Sequence, residues 1–237
     1  MVCSHARRKV TLRSAGQTKV AMDVSTLHVR YPRLYHMAER GAWPSIKARG
    51  LLSATAALDL IGILDGRRHA LEREHRPESV SLRSGGTCIV LRDQKPMAPA
   101  RLAGALRDGL TPSQWYERLN GLVFLWAEER RLHRLLNARE FRGREHDVIV
   151  LDTKRLLAAN EDHVWLSPMN SGNTFPFPHP RGMSIFCRIS DYPTGKRGLP
   201  LKRVVEFAVD YSIPDIAAHV VEAVRMKGSH VVHCLRL

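Results

Sequence analysis

The stretch that decides the fold is RLYHMAERGAWPSIKARGLL, residues 33–52. Residues 34–37 predict a short buried strand, because they form an apolar run of strand length. Residues 43–48 predict a helix with Pro44 in its first turn, where the missing N–H of proline costs nothing. Gly50 supplies the stop at the end of that helix. The stretch therefore predicts a strand that is followed at once by a short helix.

Apolar runs of strand length and helical patterns follow one another through the rest of the chain, which predicts an α+β fold. Further strands are predicted at residues 88–91, 121–126, 148–152, 164–167, 184–189 and 204–211. Further helices are predicted at residues 53–64, 101–107, 128–139, 153–159 and 214–226, and from the cap residue Thr111 onward. The charged stretch 67–83 predicts a solvated helix face or a loop. Residues 168–178, rich in turn formers, predict a long loop.

The chain is strongly basic. Its formal net charge is +14, from 37 Lys and Arg against 23 Asp and Glu, and its pI is near 10.3. This charge predicts an acidic partner, which is nucleic acid, an anionic membrane surface or a phosphate-rich ligand. Because no basic helix has a clean apolar face, a membrane partner is not expected and nucleic acid is preferred.

Cysteine spacing and hydropathy place limits on location and metal binding. Four widely scattered cysteines, and histidines without an HExxH motif, predict neither a zinc site nor a redox motif, so no metal is expected. No apolar stretch reaches the roughly 20 residues that span a bilayer, and the N-terminus lacks the apolar core of a secretion signal. We expect a cytoplasmic protein.

Two segments differ in composition. Residues 1–22 are basic and polar and show little periodicity, which predicts a poorly ordered extension. The alternative is an ordered edge strand at residues 9–12. Residues 23–237 are long enough for one sizeable core, so a single globular domain is predicted there.

Four features together resemble the ADP-ribosyltransferase superfamily. They are Tyr35-His36 on the first strand, the helix that runs to Gly50, the strand 121–126 that feeds a helix, and Glu206 within the late strand. The chain is more specifically similar to the DarT-type enzymes, which modify nucleic acid, and to a bacterial domain family of unassigned function with a motif like SPMNSG at 167–172. The resemblance implies a single-domain fold of two packed, mostly antiparallel sheets with flanking helices.

The resemblance also implies NAD as a substrate. In that superfamily a His or Arg on the first core strand holds the adenosine-side ribose, an aromatic residue on a middle strand stacks on nicotinamide, and a late-strand Glu contacts the nicotinamide ribose. These roles map onto His36 with its neighbour Met37, onto Phe124 or Trp126, and onto Glu206 as the catalytic residue. The middle strand departs from the common Tyr, and strand alternation puts Phe124 and Trp126 on one face, so both stay eligible.

Other NAD contacts follow from residue chemistry. Asn170 and Ser171 lie in the long loop, where backbone amides and short polar side chains suit a ribose or a phosphate. Arginine pairs with pyrophosphate in a bidentate manner, and Arg49 and Arg181 are the candidates. Glu206 suits a transition state with oxocarbenium character, because a nearby carboxylate stabilises the positive charge that develops on the ribose.

Each candidate residue also has a purely structural interpretation. His36 fits an ordinary hydrogen-bonded strand residue, and Phe124 and Trp126 fit a packed core. Glu206 fits the solvent face of an alternating strand, although Val204 and Ala208 on its own face favour a part-buried carboxylate. The loop around Asn170 fits a simple turn-rich connection.

The sequence therefore predicts an NAD-dependent enzyme that transfers ADP-ribose to a nucleic-acid base, with toxin or phage-defence activity and a possible neutralising antitoxin protein. Two alternatives remain open. One is an RNA 2′-phosphotransferase on the same architecture, and the other is a non-catalytic nucleic-acid-binding protein whose charge supplies the affinity.

Overall fold

The computed structural model describes residues 22–195 and 197–237. The extension predicted at residues 1–22 lies outside the described residues, apart from Met22, which is buried. The helices are α1 (Val24–Arg30), α2 (Trp43–Arg49), α3 (Ala54–Ile61), α4 (Asp65–Arg73), α5 (Pro99–Ala105), α6 (Pro112–Asn120), α7 (Glu129–Leu136), α8 (Thr153–Asn160) and α9 (Ile216–His219). The strands are β1 (Arg33–Glu39), β2 (Leu51–Leu52), β3 (Val80–Ser84), β4 (Thr87–Leu91), β5 (Leu122–Trp126), β6 (Glu145–Asp152), β7 (Val164–Ser167), β8 (Cys187–Arg188), β9 (Glu206–Asp210), β10 (Ser212–Ile213), β11 (Val220–Lys227) and β12 (His230–Cys234).

The protein is a mixed α/β structure built on antiparallel strands. Eight strands form one sheet in the order β12-β11-β6-β1-β5-β9-β7-β8, and two ribbons, β10-β2 and β3-β4, lie apart from it. Every strand pairing in these three sheets is antiparallel. None of the helices in residues 22–195 and 197–237 has the length and apolar character needed to cross a bilayer.

The large sheet consists of two halves that barely join. Strand β1 pairs with β6 along its whole length, from Arg33 opposite Asp152 to Glu39 opposite His146. By contrast, β1 pairs with β5 only where Tyr35 lies opposite Trp126. The sequence predicts two packed sheets, whereas the structure has one sheet whose halves separate on either side of this single pair. A cleft lies at this partial opening in the centre of the sheet.

Three apolar clusters hold helices against the sheet. One cluster covers a face of both halves and contains side chains of α1, α2, α8 and α9. On the opposite face, α7 packs on the half that contains β1 and β6, while α5 and α6 pack on the half that contains β5 and β9. The cleft lies between these two helical layers.

The helix predicted at residues 214–226 is wrong. Only α9 is helical there, and β11 follows, paired with β6 on one side and β12 on the other. The register of β11 shifts between Val220 and Glu222. This irregularity breaks the strict alternation of the strand, so Val220, Ala223 and Val224 are buried at a spacing that is also typical of one helix face.

Other local predictions hold in part. The structure contains the predicted strand at 34–37, the strands near 88–91, 121–126, 148–152 and 164–167, and the Thr111 cap, which forms a capping box with Gln114. The predicted strand at 184–189 is wrong over most of its length, because Met183–Ile185 form a 3-10 turn and only Cys187–Arg188 pairs with β7. Residues 67–83 contain most of α4 and also β3, whose Leu82 is fully buried.

Candidate functional site

A cleft of about 730 Å³ lies where the two halves of the sheet separate. Its walls are formed by β1 and β5, the end of β9, the loop that follows β4 and the loop that follows β7. Seven of the nine predicted site residues line it, namely His36, Met37, Phe124, Trp126, Asn170, Ser171 and Glu206. The other two, Arg49 and Arg181, do not.

Glu206 is the buried carboxylate of the cleft. It begins β9, opposite Trp126 of β5 on one side and Ser167 of β7 on the other, and its exposure is only 4%. Its Oε2 accepts hydrogen bonds from the backbone N–H of Ser171 at 3.0 Å and from the Ser171 hydroxyl at 2.8 Å. Burial raises the pKa of Glu206 to about 7, although the Ser171 hydrogen bonds oppose that rise. Oε1 accepts no hydrogen bond from the described residues and is the oxygen left for a ligand.

Arg181 fixes the loop that carries Ser171. Its side chain is buried and donates to three backbone carbonyls, those of Ser171 at 2.8 Å, Asn173 at 2.7 Å and His179 at 3.1 Å. The prediction that Arg181 binds pyrophosphate is therefore wrong, because its guanidinium is committed to the loop. Arg181 instead determines where Ser171, and through it Glu206, is held.

His36 lies on the β1 side of the gap between the sheet halves. Its Nδ1 is 3.0 Å from the carbonyl oxygen of Phe124 on β5. A carbonyl can only accept a hydrogen bond, so Nδ1 carries the proton and Nε2 keeps a lone pair. Burial lowers the pKa of His36 to about 4, and nearby Arg92 adds to that effect. His36 is therefore neutral near pH 7 and able to accept a hydroxyl hydrogen bond.

The aromatic candidates both face the cleft but pack differently. Phe124 lies beside Phe186 with ring centroids 6.4 Å apart and belongs to the α5–α6 layer. Trp126 packs against the α7 layer. Each is only partly buried, so the structure leaves both eligible to contact a flat ring. Asn170 lines the cleft as well, and its Oδ1 accepts from the Gly172 N–H at 3.0 Å, which closes a turn around Ser171.

A second cavity of about 350 Å³ adjoins the first. Arg49 lines this smaller cavity and is exposed. The two cavities share the lining residues His36, Met37, Leu52, Ala54 and Arg92. The two cavities, here together called the channel, therefore adjoin at His36, with Glu206 lining the larger cavity and Arg49 lining the smaller one.

Arg92, just after β4, is a site residue that the sequence analysis did not identify. It lines both cavities, donates to the Met37 carbonyl at 3.4 Å and lies with its Cζ 4.9 Å from the Phe141 ring centroid. Its nearest carboxylate, that of Glu39, is 3.9 Å away. Burial lowers its pKa. Nothing in the sequence distinguishes Arg92 from the other basic residues, because its importance comes only from its place at the junction.

A buried polar network that was also not predicted holds the loop after β4. Gln94 accepts from the Arg76 backbone N–H at 3.1 Å and donates to the Asn120 side chain at 3.3 Å. The Arg76 guanidinium donates to the Arg92 carbonyl at 2.8 Å. These bonds tie the loop to α4 and α6 and so fix the Arg92 side of the cleft.

The fold and the site define a mixed α/β protein in which a buried carboxylate and a neutral histidine face one ligand-sized channel. The chain belongs to DUF7002, a family of unknown function, whose model matches residues 32–220. The matched span includes both His36 and Glu206. No curated protein and no solved structure matches the chain.

Proposed function

We propose that this protein is an NAD-dependent ADP-ribosyltransferase whose acceptor is a nucleic-acid base. The observation that carries the proposal is the placing of Glu206 and His36 on opposite sides of one cleft, with the aromatic residues of β5 between them. The two joined cavities suit an elongated dinucleotide, since each is within the usual size range of ligand pockets.

Glu206 would act on the ribose next to nicotinamide. As the bond between nicotinamide and ribose breaks, its electron pair leaves with nicotinamide and positive charge develops on the ribose. A carboxylate as buried as Glu206 stabilises that charge more strongly than one in water. The acceptor atom of the base then forms a bond to the anomeric carbon and loses a proton, which the carboxylate of Glu206 takes up.

His36 and Arg92 would orient NAD along the channel. Neutral His36 accepts a hydrogen bond from a ribose hydroxyl, and Phe124 or Trp126 packs flat on nicotinamide. Arg92 is placed to pair with the pyrophosphate, because it lies where the two cavities join and makes no carboxylate contact shorter than 3.9 Å among the described residues. Arg49 would then lie at the adenosine end.

The basic charge supports a polyanionic acceptor. With a net charge of +14, the protein attracts phosphate backbones and concentrates them near the cleft. The resemblance to DarT-type enzymes also implies a toxin or phage-defence role with a neutralising protein partner, and this role is part of the proposal.

The test is incubation of the protein with labelled NAD and separate pools of single-stranded DNA, duplex DNA, RNA and lysate protein. We expect label in a nucleic-acid pool, and a loss of at least about 100-fold in Glu206→Gln. Glu222→Gln is the matched control, because Glu222 lies exposed on a strand of the same sheet. Label on the protein pool alone would refute a nucleic-acid acceptor, and absence of both label and nicotinamide release would refute the transferase.

A further inference from the structure

Two exposed surfaces border the cleft that contains Glu206. The first, here called the basic rim, consists of Arg134, Arg139 and Arg142, at the end of α7 and in the turn after it. The second, here called the aromatic rim, consists of Phe175 and Phe177 in the loop after β7. Neither surface takes part in the NAD contacts proposed above.

The basic rim carries charge that the protein itself does not neutralise. Its three arginines are exposed, and none has a carboxylate within 4.0 Å among the residues that the structure describes. Neighbouring arginines differ, since Arg144 pairs with Glu39 at 2.8 Å and Arg130 pairs with Glu128 at 3.0 Å.

The basic rim also adjoins the cleft directly. The residues interleaved with its arginines line the cleft, namely Leu135, Ala138, Glu140 and Phe141. Three uncompensated cations within nine consecutive residues suit the regular negative charges of a phosphodiester chain.

The aromatic rim presents two large apolar rings to solvent. Phe175 is 63% exposed and Phe177 is 71% exposed. Phe175 also lines the cleft, and the Arg101 Cζ lies 4.8 Å from the centroid of its ring. Exposed aromatic rings at the edge of a cleft are costly in water unless they receive a partner.

The loop that carries these rings is held in place. The Phe175 N–H donates to Asn173 Oδ1 at 2.8 Å, the Thr174 N–H donates to the Pro96 carbonyl at 3.0 Å, and Arg101 donates to the Thr174 carbonyl at 3.2 Å. The backbone that carries Phe175 is therefore held in place, which lowers the entropy cost of stacking a partner on its ring.

We infer that an unpaired strand of nucleic acid binds across the mouth of this cleft, with its phosphates on the basic rim and its bases stacked on the aromatic rim. An aromatic side chain stacks on the free face of an unpaired base, whereas the faces of bases within a duplex are already covered. The strand thereby brings a base over Glu206. This inference rests on the proposed function, because it takes nucleic acid as the acceptor.

The test is the affinity of the protein for fluorescent 12-nucleotide DNA and RNA single strands and for a duplex of equal length, measured by anisotropy without NAD. We expect the single strands to bind more tightly than the duplex. The triple variant R134Q/R139Q/R142Q should weaken binding at least about tenfold and lower the slope of log K against log salt by about 2. The double variant F175A/F177A should remove most of the preference for single strands over duplex.

The matched control is R67Q/K154Q/R155Q, which removes the same charge from exposed positions that do not line the cleft. It should retain at least half of the wild-type affinity. Equal losses in the basic-rim variant and the control, or duplex binding as tight as single-strand binding in the wild type, would overturn the inference. The DNA and RNA arms show which backbone is preferred.

Nicotinamide release in the absence of an acceptor separates this inference from the proposed function. The basic-rim variant should release nicotinamide at the wild-type rate while losing strand binding. If the wild-type protein binds single strands through these rims but never consumes NAD, the interface stands and the transferase proposal fails. The protein would then be a nucleic-acid-binding protein without this activity.

Discussion

At the scale of single residues, the burial of Glu206 lowers the stability of the folded protein once the carboxyl group ionises. Its pKa in the folded protein is about 7, compared with 4.5 for an ordinary glutamate. Between these two values the folded state binds more protons than the unfolded state, so the free energy of unfolding falls as pH rises from 4.5 to 7. The shift corresponds to about 3 kcal/mol at pH 8. Such a cost is typical of a carboxylate that is kept for function.

We therefore expect the stability of Glu206→Gln relative to the wild type to depend on pH. As pH rises from 4 to 8, the difference in unfolding free energy should change by about 3 kcal/mol in favour of the variant. Glutamine keeps the size of the side chain and an oxygen that accepts from Ser171, but it never ionises. Urea unfolding of both proteins at several pH values measures the difference. A difference that is independent of pH would show that Glu206 titrates normally.

Ser171 should set the pH at which the cleft becomes active. Its hydroxyl donates to Glu206 at 2.8 Å and favours the ionised carboxylate. Loss of that bond in Ser171→Ala should raise the pKa of Glu206 further, because the hydroxyl stabilises the ionised carboxylate. In the proposed reaction nicotinamide release needs ionised Glu206, so its rate should rise with pH through about 7 in the wild type and at a higher pH in the variant.

The pH–rate profile of kcat/KM measures that shift, and Ser184→Ala, at an exposed serine, is the control. Wild-type and Ser171→Ala profiles that coincide would mean that the hydroxyl does not tune Glu206. A variant that is equally slow at every pH would assign Ser171 a role in holding the loop instead.

At the scale of elements, Gly50 joins α2 to β2 under tight steric limits. Its φ is +88°, and an added Cβ would lie 2.7 Å from the Ile213 carbonyl oxygen and 2.7 Å from the Pro214 Cα. Gly50→Ala should therefore lower the free energy of unfolding by about 2 to 4 kcal/mol. Gly41→Ala is a matched control, because Gly41 has φ +82° but no atom within 4 Å of such a Cβ.

Thermal unfolding of the two variants separates the cost of the backbone conformation from the cost of the steric contact. The Gly41 variant reports the backbone conformation alone, at about 1 kcal/mol, and the excess loss in the Gly50 variant reports the close approach of the chain after β10. Equal losses would show that the chain there moves aside at little cost.

Elements with their own local signals could be predicted from the sequence. The Thr111–Gln114 capping box, the Pro44 helix start and the apolar strand 148–152 each depend on neighbours in the chain. Strand β11 could not be predicted, because its irregular register makes buried residues recur at a helical spacing. Strand β12 gave no signal, since all five of its residues are exposed and only pairing with β11 orders them.

The candidate site shows the same difference between residues with a local sequence signal and residues whose roles depend on long-range contacts. His36 and Glu206 lie on strands with a recognisable pattern, so both could be chosen as candidate site residues from the sequence. Arg92 and Arg181 were missed or misassigned because their roles depend on long-range placement: one lies where two cavities meet, and the other is buried against loop carbonyls. Many arginines have similar local sequence, and only the fold distinguishes them.

At the scale of the whole molecule, the cleft exists because the central sheet is almost divided. Strand β6 is paired along both edges, with β1 and β11, whereas β1 meets β5 at the single pair Tyr35 and Trp126. The backbone groups of β1 that face the gap therefore lack a strand partner on that side. A ligand that fills the channel contacts both halves and connects them where the backbone does not.

This architecture predicts a particular pattern of amide hydrogen exchange. The β6 amides should exchange slowest, because opening them requires the loss of two strand pairings. The β1 amides should fall into two classes, slow where they bond to β6 and fast where they face the gap, with Tyr35 as the exception. Residue-resolved exchange by NMR measures both classes. If the proposed function holds, Glu206→Gln binds NAD without turnover, and NAD added to this variant should slow the fast class and leave β6 unchanged. Uniform protection along β1 before NAD is added would mean that the halves are joined more firmly than one pair allows, and unchanged fast exchange with NAD would place the ligand outside the gap.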